Sequence, residues 1–230
     1  MNSLKITKVA LFDFCGTFVN FQTGDEFIRY SVRNFYGDDE RIKNAINKIN
    51  AYRKFGITFF HDFFGRTPLS KSVLASVTKG IPYIRLDELA KQYSSDMLFP
   101  NIVQPTIELF NECKKNGYYI VLVSAAYDIY LKHFSNKYSF DVILSSSLGV
   151  NNNCLTGKIL NDTVGTKKVK RTLKWLDKEI GKGSYEIVLS VGDSKKDIPI
   201  LNLAKRKIVI SKKHHQSWVD ESFEEIIYGN

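Results

Sequence analysis

Short apolar runs that lead into polar residues constrain the fold of this 230-residue chain more than any other feature. The first run, Val9–Phe12, leads into Asp13, and a second run ends at Ser124. A third run, Glu186–Val191, is separated from Asp193 by a single glycine. Runs of this length predict buried strands. Because open α/β sheets bind ligands at the carboxyl ends of their strands, we expect these polar groups at one edge of a sheet.

Helical patterns alternate with strands in the second half of the chain. Apolar spacing predicts strands over 118–125, 141–145 and 207–210, a hairpin arm over 154–160, and helices over 106–116, 128–138 and 166–180. This alternation predicts an α/β fold built on a Rossmann-like, doubly wound parallel sheet.

Residues 18–102 follow a different pattern. Apolar spacing there predicts helices over 24–36, 38–54, 69–79 and 87–98, separated by glycines and prolines. We therefore expect an all-helical cap domain at 18–102. It would be inserted into an α/β core domain made of residues 1–17 and 103–230.

The composition is that of a globular chain, with 43% hydrophobic and 25% charged residues. The sequence has no apolar run of about 18 residues, and residues 1–8 lack the apolar core of a signal peptide. We therefore expect no membrane span and a cytoplasmic location. Three cysteines without a Cys-x-x-Cys spacing predict neither a disulfide framework nor a zinc site. The net charge of +9 could favour anionic substrates or nucleic acid, but no nucleic-acid motif accompanies it, so we expect no nucleic-acid partner.

Four stretches contain residues that can act on a phosphate group. Asp13 can attack phosphorus to form an aspartyl-phosphate, or it can be a metal ligand or a structural aspartate. Ser124 can hydrogen-bond a phosphate oxygen, or it can simply end a strand. One lysine of the cluster at 165–170 can neutralise phosphoryl oxygens. Asp193 and Asp197 offer the oxygen ligands that Mg²⁺ prefers, and their spacing predicts that Asp197 faces back toward Asp193.

These stretches resemble, in order, the motifs of the haloacid dehalogenase-like (HAD) superfamily. Residues 13–17, Asp-Phe-Cys-Gly-Thr, resemble its first motif, Asp-x-Asp-Gly-Thr, except that Cys15 replaces the second aspartate. Residues 192–199, Gly-Asp-Ser-Lys-Lys-Asp-Ile-Pro, are a further distinctive match. Residues 155–169 resemble the phosphoserine-phosphatase-like branch (subfamily IB), in which the motif lysine precedes a valine, and this selects Lys168. The helical insert is similar to that branch's C1 cap.

The resemblance implies a Mg²⁺-dependent phosphohydrolase, a phosphatase acting on a small phosphorylated metabolite through an aspartyl-phosphate. Asp13 would be the nucleophile, and Lys168 would neutralise charge between Asp13 and the phosphoryl group. The implied Mg²⁺ ligands are Asp13, the backbone carbonyl of Cys15, and Asp193. The implied phosphate-binding residues are Thr17, Ser124 and Lys168. Supporting roles fall to Gly192, Ser194 and Asp197, the last of which would orient Lys168 or a metal-bound water.

Cys15 occupies the position whose aspartate, in related phosphatases, protonates the leaving oxygen and then activates water. A thiol, with a pKa near 8.5 in water, is a poor replacement. Losing acid/base help typically costs about 10²–10⁴-fold in rate. Three hypotheses follow. The protein is a phosphatase for leaving groups that need little protonation, such as acyl or anomeric phosphates, or a phosphotransferase with an acceptor other than water, or a catalytically impaired protein that binds a phosphorylated ligand.

The cap is expected to choose the substrate. In phosphoserine phosphatases an acidic residue nine positions after the nucleophile binds the amino group, and this chain has Gln22 there, so phosphoserine itself is not expected. Arg53 and Arg66 are further candidates for substrate contact. Carbon–phosphorus cleavage would need a cap lysine, which the sequence does not single out among the lysines it contains. Carbon–halogen cleavage is disfavoured because Asp193 keeps the Mg²⁺ ligand.

Overall fold

A computed structural model describes residues 6–55, 57 and 67–229 of the chain. Its strands are β1 (Thr7–Phe12), β2 (Tyr119–Tyr127), β3 (Val142–Asn151), β4 (Cys154–Asn161), β5 (Tyr185–Gly192), β6 (Arg206–Lys212) and β7 (Glu224–Tyr228). Within the described residues they form one seven-stranded sheet in the order β4-β3-β2-β1-β5-β6-β7. Neighbouring strands are parallel except for β3 and β4, which are antiparallel. The predicted doubly wound α/β fold is therefore confirmed.

The order in which strands are added to the sheet reverses between β1 and β5. From β1 the sheet extends through β2 and β3 on one side, and through β5 and β6 on the other. Phe12 pairs with Val191 in this register, so the chain leaves both strands at the same edge. The carboxyl ends at such a switch point form the crevice in which open α/β sheets bind ligands.

Helices cover the sheet and build the insert. The first four are α1 (Thr23–Tyr36), α2 (Glu40–Lys54), α3 (Leu69–Ser76) and α4 (Tyr83–Tyr93). The later ones are α5 (Gln104–Lys115), α6 (Asp128–Ser135), α7 (Thr166–Leu176) and α8 (Ile198–Leu201). Single π-helical turns extend α4 over Ser94–Leu98 and α7 over Asp177–Gly181, and short 3₁₀ turns cover Phe99–Asn101 and Lys195–Asp197. No helix in the described part of the chain is both long enough and apolar enough to cross a membrane.

Apolar side chains alternate between the two faces of the sheet. Phe12 and Leu122 belong to a cluster that includes Phe110 of α5 and buried residues of α1 and α4. Leu11 belongs to a second cluster with Leu176 of α7. All five side chains are at most 4% exposed. Because a fully buried large apolar side chain contributes about 1.5–3 kcal/mol, these clusters hold the strand ends in place.

The helical segment leaves the core and returns to it at adjacent points. Val19 forms an isolated antiparallel bridge with Ile102. The backbone N–H of Val103 donates to the carbonyl of Phe18 at 2.9 Å. The two connections between the sheet domain and the helical segment therefore lie side by side, and the described helices α1–α4 lie between them along the chain.

Several element boundaries differ from the sequence prediction. Helix α4 begins at Tyr83 rather than 87, because Pro82 stands just before the helix, where its fixed φ suits a start rather than a break. Helices α3 and α6 each end three residues early, at Ser76 and Ser135. Strand β7 was not predicted, because its first two residues are glutamates and its apolar pattern is short.

Candidate active site

Carboxylates gather at the switch point between β1 and β5. Asp13 follows β1 directly, and its backbone N–H donates to the carbonyl of Val191 in β5 at 2.9 Å. Asp193 follows β5, and Asp197 lies four residues further on. Oxygens of the three aspartates all lie within 4.8 Å of one another. The structure therefore brings together three residues, although the first and the last of them are 184 positions apart in the sequence.

Lys168 supplies a cation to this cluster from the first turn of α7. Its ammonium donates to Asp13 Oδ1 at 2.8 Å and to Asp197 Oδ1 at 2.6 Å. The three side chains are only 9%, 7% and 2% exposed, respectively. Charge-assisted hydrogen bonds of this length are strong, and solvent does not screen them here. Lys168 therefore holds the Asp13 carboxylate in one orientation.

Burial and mutual repulsion disfavour the ionised carboxylates. Burial raises the pKa of Asp13 to about 6, with Lys168 opposing the shift and Asp197 adding to it. Burial raises the pKa of Asp193 to about 8, and the charges of Asp13 and Asp197 add to the shift. Burial works against the charge of Lys168, but the two carboxylates outweigh it and raise the pKa of the ammonium. The single ammonium of Lys168 therefore does not neutralise the charge of the three carboxylates.

The donor set of this cluster fits Mg²⁺. Three carboxylates and one ammonium leave two negative charges when all are ionised. Carboxylate oxygens are the ligands that Mg²⁺ prefers, and a divalent cation would relieve the repulsion that raises both aspartate pKa values. The residues suited to hold it are Asp13 and Asp193. The backbone carbonyl of Cys15, which the resemblance implies as a third ligand, stays a prediction.

Two glycines let the carboxylates approach the backbone. Gly16 has a φ of 76°, and a Cβ built there would lie 2.1 Å from Asp193 Oδ2. A Cβ on Gly192 would lie 2.8 Å from the Cβ of Asp197. Only glycine accommodates both the positive φ and the close approach at Gly16. The glycine of the first motif is therefore required by the position of Asp193.

Asp197 is held from both sides. Its Oδ2 accepts hydrogen bonds from Ser194 Oγ at 2.7 Å and from the Ser194 backbone N–H at 3.2 Å. Its Oδ1 accepts the bond from Lys168. The capping box at the start of the 3₁₀ turn and the bond from Lys168 together engage both carboxylate oxygens of Asp197. Asp197 therefore contacts Lys168 directly, and its predicted orienting role stays a prediction.

Two buried hydroxyl groups accompany the carboxylates. Thr17 is fully buried, its Oγ1 lies 3.5 Å from Asp193 Oδ1, and its carbonyl accepts a bond from Thr106 at 2.6 Å. Ser124 is 1% exposed and its Oγ accepts the backbone N–H of Ala126 at 3.3 Å. The Ser124 hydroxyl proton has no acceptor among the described residues. Both hydroxyls are therefore suited to bind an anion.

Cys15 is engaged by hydroxyl groups. Its Sγ lies 3.1 Å from Thr23 Oγ1, which in turn lies 2.6 Å from the hydroxyl of Tyr130. Burial, assisted by the charge of Asp13, raises the pKa of the thiol to about 11. The group therefore stays a neutral thiol at physiological pH. Neither Thr23 nor Tyr130 was picked out by the sequence, because neither lies in a motif.

The sequence also missed a lysine of the helical insert. Lys71, on α3, donates to the carbonyl of Ala125 at 2.8 Å, to Ser146 Oγ at 2.9 Å and to Asp162 Oδ1 at 2.8 Å. Burial lowers the pKa of Lys71, and Asp162 opposes the shift. Ala125 follows Ser124 in β2, so the hydrogen bond from Lys71 to the Ala125 carbonyl ties α3 to the part of the strand that carries the Ser124 hydroxyl. No local pattern distinguishes Lys71 from the other lysines of the insert.

The three residues proposed for substrate contact fall in different places. Gln22 lines a cavity of about 400 Å³ that also contacts Gly16 and Asp193. Arg53 is exposed near the end of α2 and does not line this cavity. Arg66 lies outside the described residues.

The structure is a doubly wound α/β fold with a cluster of carboxylates and one lysine at its switch point. Residues 10–202 match the family model of the haloacid dehalogenase-like hydrolases, and the chain belongs to this family. The expected enzyme class is thereby confirmed.

Individual relatives agree with this assignment. The chain is 27% identical over 209 residues to a phosphoserine phosphatase of Methanocaldococcus jannaschii, over 91% of this chain and 88% of that protein. A crystal structure of a protein with unknown function from Bordetella pertussis Tohama I superposes with a TM-score of 0.69 at 17% identity, covering 89% of this chain and 90% of the other. Phosphoserine phosphatase in its apo form superposes with a TM-score of 0.58 at 23% identity, covering 89% and 86%. The chain is thus similar to the phosphoserine-phosphatase-like branch.

Proposed function

We propose that the protein is a Mg²⁺-dependent phosphatase that acts on a small phosphorylated metabolite through an aspartyl-phosphate at Asp13. The supporting observation is that Lys168 holds buried Asp13 at 2.8 Å beside Asp193 and Asp197 at the sheet's switch point. Membership of a hydrolase family and similarity to phosphoserine phosphatases support the same reaction. In this proposal, residues 18–102 form the cap over the site.

In the first step, a carboxylate oxygen of Asp13 attacks phosphorus. The Asp13 O–P bond forms, the P–O bond to the leaving group breaks, and its electron pair goes to the leaving oxygen. Lys168 keeps the attacking carboxylate oriented, while the Thr17 and Ser124 hydroxyls donate to phosphate oxygens. In the second step, water attacks phosphorus and the new O–P bond forms while the Asp13 O–P bond breaks. Its electron pair returns to the Asp13 carboxylate, and the proton of the water leaves with inorganic phosphate or passes to solvent.

Two anions must meet in this reaction, and the site provides fixed positive charge for that purpose. Mg²⁺ held by Asp13, Asp193 and the Cys15 carbonyl would supply charge neutralisation between carboxylate and phosphate. The Lys168 ammonium is already in place and needs no reorganisation during the reaction. Asp197 keeps it there through the bond at 2.6 Å.

Cys15 determines which leaving groups the site serves. A thiol with a pKa raised to about 11 does not protonate an alkoxide efficiently at neutral pH, because it is too weak an acid. Its Sγ is also engaged with Thr23 Oγ1 at 3.1 Å. Substrates whose leaving group needs little protonation, such as acyl, anomeric or aryl phosphates, are therefore favoured over alkyl phosphates. Gln22, at the position where phosphoserine phosphatases have an acidic residue, argues against phosphoserine itself.

The test is hydrolysis of 4-nitrophenyl phosphate with and without Mg²⁺. We expect Mg²⁺-dependent turnover in the native protein and its loss in Asp13→Asn, an isosteric change that removes the nucleophilic charge. Asp38→Asn, at an exposed position in the turn between α1 and α2, is the matched control and should keep full activity. Turnover that survives Asp13→Asn would rule out Asp13 as the nucleophile.

The same thiol favours one alternative, phosphoryl transfer to an acceptor other than water. Activation of water needs a base, and Cys15 stands where the family's base is found. A phospho-Asp13 that water attacks slowly persists long enough to meet an alcohol. Adding glycerol to the hydrolysis reaction measures this. Formation of glycerol phosphate at the expense of inorganic phosphate supports a transferase, whereas release of phosphate alone supports the phosphatase.

A further inference from the structure

The cavity beside Asp193 reaches from the carboxylate cluster to the last strands of the sheet. Its lining includes Gly16 and Asp193, and so it adjoins the cluster. The lining also includes Lys212 at the end of β6 and Tyr228 at the end of β7. Residues 20–22, which directly precede α1, complete this part of the lining. The cavity therefore adjoins the reacting centre and is formed by the core strands together with the start of the helical segment.

Some polar groups around this cavity are uncommitted, whereas the lining side chains of Ser194 and Gln216 already form hydrogen bonds. Within the described residues, the side chains of Asn20, Gln22, Lys212 and Tyr228 form no hydrogen bond or ion pair. The Tyr228 hydroxyl lies close enough to Asp193 for the carboxylate charge to contribute, after burial, to a raised pKa of the tyrosine. Four side chains with hydrogen-bonding capacity thus surround a space that no protein group fills. Such a set of convergent polar groups is typical of a ligand site.

Lys212 brings a positive charge to the cavity lining. Its side chain is exposed and forms no ion pair in the described part of the chain. Lys212 pairs with Tyr228 in β7, and the β7 carboxylate of Glu225, which pairs with Val209, is already held by Ser211, His215 and the backbone of Gln216. Asp193 belongs to the carboxylate cluster. Lys212 is therefore free to bind an anion brought by a ligand.

The cavity also has an apolar side and a size that limit its occupant. Phe21 and Ile210 form part of its lining, beside the polar groups. A volume of about 400 Å³ lies at the lower end of the range for small-molecule sites. A group of a few carbons with one charged end fits both the volume and the lining.

We propose that this cavity binds the leaving group of the substrate and that Lys212 pairs with an anionic group on it, a carboxylate or a second phosphate. The proposal rests on the proposed phosphatase function, because the leaving group must extend from a phosphoryl group at Asp13. Gln22, Asn20 and Tyr228 hydrogen-bond the polar atoms between the two anionic ends. Lys212 is thereby a specificity-determining residue.

The test compares substrates that differ in one charge. One pair is 4-carboxyphenyl phosphate and phenyl phosphate, which differ by a carboxylate. The other pair is hydroquinone bisphosphate and its monophosphate, which differ by a phosphate. All four have the aryl leaving group that the native site favours. We expect the native protein to prefer the anionic member of at least one pair in kcat/KM, and that pair identifies the anion. In Lys212→Gln the preference should fall about tenfold, the loss expected for one charge-assisted hydrogen bond.

Two further variants distinguish a specific contact of the Lys212 side chain from a general electrostatic effect of nearby positive charges. Lys213→Gln removes the neighbouring exposed charge, which does not line the cavity, and should leave the preference unchanged. Gln22→Glu adds a negative charge to another wall and should lower the preference. An equal fall in Lys212→Gln and Lys213→Gln, or no fall in either, overturns the proposal.

Binding measured apart from turnover separates this proposal from the proposed function. Calorimetry with the Mg²⁺-loaded Asp13→Asn protein gives the affinity for the same four compounds. Tighter binding of the anionic members that depends on Lys212 supports the cavity even if hydrolysis is not observed. Equal affinities for both members of each pair, with Lys212 intact, overturn the cavity even if Asp13 is the nucleophile.

Discussion

Replacing Cys15 with aspartate tests which proton-transfer group the site lacks. In the native protein the Sγ lies 3.1 Å from Thr23 Oγ1, and the Tyr130 hydroxyl lies 2.6 Å beyond it. An aspartate at this position has the Thr23 hydroxyl available as a donor, and Tyr130 supports that hydroxyl from behind. We expect Cys15→Asp to raise the turnover of alkyl phosphates.

The magnitude follows from general acid catalysis, which contributes about 10²–10⁴-fold. The lower end applies here, because the new carboxyl group shares its surroundings with Asp13, whose pKa is already raised to about 6 by burial. The same burial keeps the new carboxyl group partly protonated near neutral pH, as a general acid must be. We therefore expect a gain of about 10²-fold, or about 2.7 kcal/mol, in kcat/KM for an alkyl phosphate. An aryl phosphate, whose leaving group needs little protonation, should gain less than about threefold.

The assay is phosphate release from ethyl phosphate and from 4-nitrophenyl phosphate, with the two rates compared as a ratio. Cys15→Asn is the matched control, because it has the shape of aspartate but no titratable proton. The gain should fall as the pH rises above the pKa of the new acid, since only the protonated form donates. A Cys15→Asp protein that folds, as judged by thermal unfolding, and shows the same ratio as Cys15→Asn would refute the reasoning.

Three further changes have defined outcomes. Gly16→Ala should lower the free energy of unfolding by about 1–3 kcal/mol and abolish most Mg²⁺ binding, because a Cβ at this φ of 76° lies 2.1 Å from Asp193 Oδ2. Thermal unfolding with and without Mg²⁺ measures both effects, and an unchanged melting temperature would contradict the prediction. Lys71→Met should lower the free energy of unfolding by about 3 kcal/mol, because it leaves the Asp162 carboxylate, 4% exposed, without its main partner. In a double-mutant cycle Asp162→Asn should recover much of that loss, and simple additivity of the two changes would contradict the coupling. Without metal, the free energy of unfolding should fall as the pH rises from about 4 to about 8, because burial raises the pKa of Asp193 to about 8 and the folded state there binds a proton that the unfolded state has lost. Mg²⁺ should therefore raise the melting temperature more at pH 8.5 than at pH 6.5, and Asp193→Asn should remove this difference.

The core of the site is predictable from the sequence because local patterns specify it. Asp13 and Asp193 each follow a short apolar run, and parallel strands bring such positions to one edge. A lysine cluster opens an amphipathic helix, although only the family resemblance selected Lys168 within it. Asp197 lies about one helical turn after Asp193. In each case the relevant spacing is within about ten residues, which is the range over which periodicity gives information.

The surroundings of the site depend on packing between distant segments, and no local pattern predicts them. Lys71 contacts Ser146 and Asp162 only because α3 lies against the strand ends, and those residues are 75 and 91 positions away. Thr23 and Tyr130 meet across 107 positions. Long polar side chains also have many rotamers, so even a correct fold leaves their partners undetermined. The roles given to the individual site residues stay predictions until variants are measured.

The adjacent connections at Phe18–Val103 and Val19–Ile102 make the insert topologically replaceable. Because the core holds the two ends together, the entropy of closing the loop depends only weakly on how many residues lie between them. A short turn joining residues 20 and 101 would therefore leave the sheet and the carboxylate cluster closed. Such a shortened chain would lose Lys71 and the shelter of the helices but keep Asp13, Lys168, Asp193 and Asp197. Helical segments from relatives could be exchanged at the same two positions, which would separate the contribution of the insert to substrate choice from that of Lys212 in the core.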